Sequence, residues 1–161
     1  DGAVTRASMA LFMNRLGTAL TPTILHTTDQ QMPFTPGDSG HGSAVCTTSV
    51  IAAANYPRTA TISGYVSGAN ASTAMRLHAQ GAISLNGGAY LVSGQYALAS
   101  VGTASAASIP ASGAFSILAG QTAILGMFLF QDPAPNTATL GEMDCDLVIR
   151  IENKNGTSPP F

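Results

Sequence analysis

Thr59-Ala60-Thr61-Ile62-Ser63-Gly64-Tyr65-Val66-Ser67 opens a stretch, running to Tyr96, in which side chains alternate in kind. Positions 60, 62, 64 and 66 are small or apolar, and 59, 61, 63 and 67 carry hydroxyls. Further on, Met75, Leu77 and Ala79 fall on one side, and Arg76, His78 and Gln80 on the other. Ile83 and Leu85 then alternate with Ser84 and Asn86. Successive strand side chains point to opposite faces, so a period of two predicts strands with one buried and one solvated face. Asn86-Gly87-Gly88, ahead of Ala89-Tyr90-Leu91-Val92, predicts a hairpin turn, because Asn and Gly accept positive φ.

Outward from this stretch the same patterns recur. Thr122–Gln131 is apolar on both faces, as a central or doubly covered strand would be. Cys145, Leu147, Ile149 and Ile151 alternate with Asp144, Asp146, Arg150 and Glu152, giving an amphipathic last strand. Ala44–Ala54 is a first strand carrying Cys46, and Phe115–Leu118 a short one. Gly102–Gly113, rich in Ala and Ser, reads as a long connection. Seven or eight strands separated by turn signals predict a mainly β fold, an antiparallel β-sandwich with a short N-terminal helix. A jelly roll is the first expectation and an immunoglobulin-like Greek key the alternative, disfavoured mildly by the absence of Trp. The expected division is an N-terminal helix or extension over 1–20, a linker loop over 21–43, the sandwich over 44–153 and a surface tail over 154–161. Pro22, Pro33, Pro36 and a Gly-rich cluster suggest the linker.

Composition narrows the class. The 161 residues suit one domain with a single core, and only 9% of them are charged, against about a quarter in ordinary soluble domains. Ala, Ser, Thr and Gly fill the surface, so little electrostatic repulsion keeps copies apart. A net charge of −2 with six basic residues and no basic cluster argues against nucleic-acid binding. No apolar run reaches transmembrane length, no signal peptide is visible, and the abrupt start at Asp1 suggests a piece of a longer precursor. Cys46 and Cys145 are either buried thiols or one disulfide. The composition favours the disulfide, joining an early strand to the last and implying an oxidising compartment. The sequons at Asn70 and Asn155 are only permissive.

The first twenty residues follow a different period. Met9, Phe12, Met13, Leu16 and Leu20 fall at helical spacing, Thr5 is a candidate N-cap, and Gly17 sits where a helix could end. The segment Asp1-Gly2-Ala3-Val4-Thr5-Arg6-Ala7-Ser8-Met9-Ala10-Leu11-Phe12 resembles the closing part of an S-layer homology (SLH) repeat. In those repeats a Thr-Arg-Ala-Glu motif opens a helix; Ser8 stands where the motif has Glu. The resemblance covers about a tenth of the chain and implies a bacterial cell-surface protein, with cell-wall polysaccharide as a possible partner. The apolar positions either pack on a neighbouring element or make the segment a self-association surface.

Candidate chemistry is sparse. Gly37-Asp38-Ser39-Gly40 resembles the nucleophile segment of chymotrypsin-like proteases, but His26 is the only upstream His and the length allows no double barrel; a Gly-rich turn suffices. His26, His41 and His78 show no metal-ligand spacing, and His78 is expected on a solvated face. Glu142, Asp144 and Asp146, with Asp132 nearby, form a weak Ca²⁺ or glycosidase candidate that lacks a Gly-punctuated loop and Trp platforms. Tyr56 and Tyr65 are the ligand-binding candidates, whereas Tyr90 and Tyr96 are expected in sheet packing. These readings favour no enzyme and no cofactor. They point to an extracellular, self-associating structural protein, a homo-oligomer or polymer; the alternative is an adhesion module recognising glycan or host protein.

Overall fold

The computed structural model describes residues 5–37, 42–93, 97–132 and 138–153. Within them the chain forms helix α1 (Arg6–Leu20) and strands β1 (Thr23–Gln31), β2 (Ser43–Val45), β3 (Arg58–Ala71), β4 (Met75–Leu85), β5 (Tyr90–Val92), β6 (Ala97–Val101), β7 (Ala106–Ile117), β8 (Ala123–Asp132) and β9 (Leu140–Asn153). One antiparallel sheet has the order β1-β9-β3-β7; the other runs β2-β8-β4 and continues through β5 and β6. β5 pairs with Ala82–Ser84 and β6 with Met75–Ala79, both on the β4 edge opposite β8, so together they fill one strand position. Along the chain, β1, β3, β7 and β9 lie in the first sheet while β2, β4 to β6 and β8 lie in the second. This winding back and forth between layers is that of a jelly roll; an immunoglobulin fold keeps its first two strands in one sheet.

The alternating residues meet as their period requires. Ala60, Ile62 and Val66 of β3 and Met143, Leu147 and Ile149 of β9 are buried against Leu77 and Ile83 of β4 and Leu125 and Leu129 of β8. β8 is central in its sheet, between β2 and β4; its inner face (Leu125, Met127, Leu129) is buried and its outer face (Ile124, Phe128, Phe130) half-buried, so both are apolar. At Asn86 and Gly87 φ is 52° and 71°, and the Gly88 N–H donates to the Leu85 carbonyl at 2.9 Å. Two successive positive φ values closed by that bond make the turn whose twist suits a β-hairpin. Cys46, one residue past β2, is disulfide-bonded to Cys145 on β9 with Cα atoms 6.2 Å apart, stapling one sheet to the other.

Four expectations need correction. Residues 21–43 are not a linker, because Thr23–Gln31 pairs with β9 along its whole length. Its Thr, Asp and Gln residues hid it, since an edge strand that is only half-buried on its inner side needs few apolar residues. The connection expected over Gly102–Gly113 is largely β7, and Phe115–Leu118 is only its end. Ala and Ser give little strand signal there, but β3 supplies register partners from Ala106 to Ile117. Ala44–Ala54 holds only the short β2, with Ile51 returning as an isolated bridge to Ala123. Finally, α1 passes through Gly17 and is capped at Thr21, whose N–H and Oγ1 both donate to the Gly17 carbonyl.

Candidate functional site

Among the described residues α1 stands largely clear of the sandwich, which it meets chiefly at β9. Thr5 caps it: its Oγ1 accepts the Ser8 N–H at 3.1 Å and lies 2.8 Å from Ser8 Oγ. Ser8 therefore bonds back to the cap from the position that Glu takes in a capping box. Replacing Thr5 with Ala is expected to weaken the helix by about 1 kcal/mol. Amide hydrogen exchange should then speed up across Arg6–Leu20 while β3 and β9 keep their protection; unchanged exchange in the first turn would contradict the cap. Met9 (50% exposed), Phe12 (43%) and Met13 (58%) present their side chains to solvent, and Leu16 is half-buried. Leu11, on another side of the wheel, is exposed as well. The side chain of Leu20 lies outside the described part. Between α1 and the start of β1 an open cleft of about 540 Å³ is lined by Met13, Asn14, Gly17, Thr21, Pro22 and Thr23.

The outer face of the β1-β9-β3-β7 sheet carries most of the other candidates. Strand register sets Thr28, Asp146, Tyr65 and Pro110 in one row across the four strands. Tyr65 is 46% exposed, as its place among hydroxyl residues predicted. His26 Nε2 lies 2.7 Å from Asp146 Oδ1, and Gln30 Nε2 donates to Glu142 Oε1 at 2.9 Å, so β1 engages two of the three aligned carboxylates. Glu142, Asp144 and Asp146 do share a face, but every second residue of a strand is about 6.6 Å further along. That spacing is wide for three monodentate ligands at about 2.4 Å from one Ca²⁺. Among the described residues no three His, Cys, Asp or Glu converge as metal ligands. Arg150 and Glu152 form a surface ion pair on the same strand.

Tyr56 lies elsewhere, half-buried in the wall of a pocket at one end of the sandwich that also includes Arg58. It does not join Tyr65. Tyr90 is half-buried, and burial raises the pKa of its hydroxyl. His78 is the plain correction: it is 6% exposed and stacks on Phe130, with ring centroids 4.7 Å apart. Phe130 and Leu98 flank it in one cross-strand row, an apolar neighbourhood that only the strand order creates. Ser39, His41, Tyr96 and the side chain of Asp132 lie outside the described residues, so the protease-like turn has no structural account. Sequence reasoning missed Arg58, a charged residue at the start of a strand that gave no sign of being buried.

Comparison with protein-family models gives no match, and comparison with curated proteins gives none either. No helix among the described residues is long and apolar enough to cross a membrane.

Proposed function

We propose that the chain is a structural protein of a bacterial cell surface that self-associates through α1. The observation carrying this is the exposure of Met9, Phe12 and Met13 on a helix that leans little on its own sandwich. A fifteen-residue helix is marginal in water alone and draws its stability from burying an apolar face. A second copy offers the same apolar stripe, and a net charge of −2 puts little repulsion between copies. Edge-strand pairing is the weaker route. Pro110 offers no N–H on the edge strand β7, Asp29 sits on the inner side of β1, and β2, β5 and β6 are three, three and five residues long. Each of these is a device that discourages pairing between chains. The disulfide fits an oxidising, extracellular setting, and the low charge fits a crowded surface layer. The SLH-like residues that open α1 keep cell-wall polysaccharide as a partner of the assembly.

Light scattering of the intact chain tests this. The expected result is a concentration-dependent rise in mass that the triple variant Met9→Gln, Phe12→Gln, Met13→Gln abolishes, while the melting of the sandwich moves by no more than about 2 °C. Gln keeps helix propensity and removes only the apolar surface. A wild-type chain that stays monomeric, or a variant that assembles equally well, would overturn the proposal.

A further inference from the structure

Arg58 starts β3 and is only 8% exposed, yet among the described residues no carboxylate pairs with it. Its Nη2 donates to the backbone carbonyls of Ala52 and Gln121, at 3.0 and 3.3 Å, and its buried Nε has no acceptor among the described residues. A guanidinium removed from water and bonded only to neutral carbonyls is poorly compensated, because burying a charge costs heavily unless an opposite charge or full hydrogen bonding replaces the lost hydration. The same residue lines a pocket of about 310 Å³, at the lower end of the range for small-ligand sites. Thr23, Ser49 and Tyr56 add hydroxyl groups and Asn153 an amide to the wall, and Leu25, Val50, Ile51 and Ile151 supply its apolar part; among the described residues no acidic one lines it.

We propose that this pocket binds a sugar acid, with the carboxylate held by Arg58 and the hydroxyls by the polar wall beside Tyr56. The cation selects an anion, and a carboxylate matches the planar donor array of a guanidinium. Several hydroxyls around one charge suit a polyhydroxylated body better than an aliphatic acid, which would leave them unsatisfied. Tyr56, half-buried in the wall, brings an aromatic side chain, the kind of group on which the C–H face of a pyranose packs. The proposal does not rest on self-association through α1.

Calorimetric titration of the intact chain with glucuronate, glucose and propionate tests the assignment. Glucuronate is expected to bind saturably and at least about tenfold more tightly than glucose or propionate. Because Arg58 also holds two loop carbonyls, its replacement risks the fold, so the blocking variant is Ser49→Trp, an exposed position on the pocket wall. It should cut glucuronate affinity at least about tenfold with unaltered melting. Absence of saturable glucuronate binding up to about 10 mM, a free energy of only about −2.7 kcal/mol, would overturn the proposal. Equal binding of glucose would remove Arg58 from recognition, equal binding of propionate would remove the hydroxylated wall, and undiminished binding by Ser49→Trp would place the ligand elsewhere; each rejects the site.

Discussion

Removing the Cys46–Cys145 disulfide is expected to lower stability by about 4.7 kcal/mol, the loop-entropy value for a closed loop of about 100 residues. The bridged positions are 99 residues apart, so the cross-link restricts most of the unfolded chain. Both cysteines are buried, Cys145 on the inner side of β9 and Cys46 directly after the three-residue β2. β2 has only three register partners on β8, so the bridge also ties a short edge strand to the opposite layer. Urea unfolding of the oxidised chain, the reduced chain and the Cys46→Ala, Cys145→Ala variant measures the effect. The midpoint should fall sharply in both, and the dependence on urea should steepen, because an uncross-linked unfolded chain exposes more surface. A loss below about 1 kcal/mol in the reduced chain would mean that the sandwich restricts its unfolded state by other means.

Where the sequence was legible, the reason is local. β3, β4, β8 and β9 each have a buried face whose apolar residues repeat every second position, and the Asn86-Gly87 turn depends on two residues that tolerate positive φ. β1 and β7 were not legible, because edge strands bury less and β7 is built from Ala and Ser. His78 shows the same limit from the other side. Its polar character placed it on the solvated face, and its burial depends on Phe130 and Leu98, which lie 52 and 20 positions away in the chain. Tyr65 was legible because a tyrosine among hydroxyls on an open sheet face needs no knowledge of strand order. Arg58 was not, because its acceptors, Ala52 and Gln121, are backbone carbonyls that no side-chain pattern announces.

Gly64 reads in the sequence as one more small residue on the buried face of β3, and the structure makes it far more restrictive. Its φ is 155°, a conformation that side chains other than hydrogen rarely adopt. A Cβ placed there would overlap the Asp146 carbonyl oxygen and lie 2.9 Å from Leu147 Cα. Both obstacles are backbone atoms of β9, held by pairing with β1 on the far side, so they cannot swing aside as a flexible side chain would. Relief would require β3 to separate from β9 at the centre of the sheet. Gly64→Ala is therefore expected to cost about 3 kcal/mol or more, from conformational strain of about 1–3 kcal/mol together with a steric penalty of similar size. Gly17→Ala is the matched control. A Cβ at Gly17 meets nothing within 4 Å, and in mid-helix the change should stabilise α1 by about 0.5–1 kcal/mol. Thermal melts of the two variants should move in opposite directions or, if α1 melts separately, only Gly64→Ala should shift the sandwich. A Gly64→Ala chain with wild-type melting would show that β3 and β9 can part at this point without loss. The β3–β9 seam would then be a place where the sheet yields, and not the rigid centre from which the rows of Tyr65, Asp146 and His26 take their spacing.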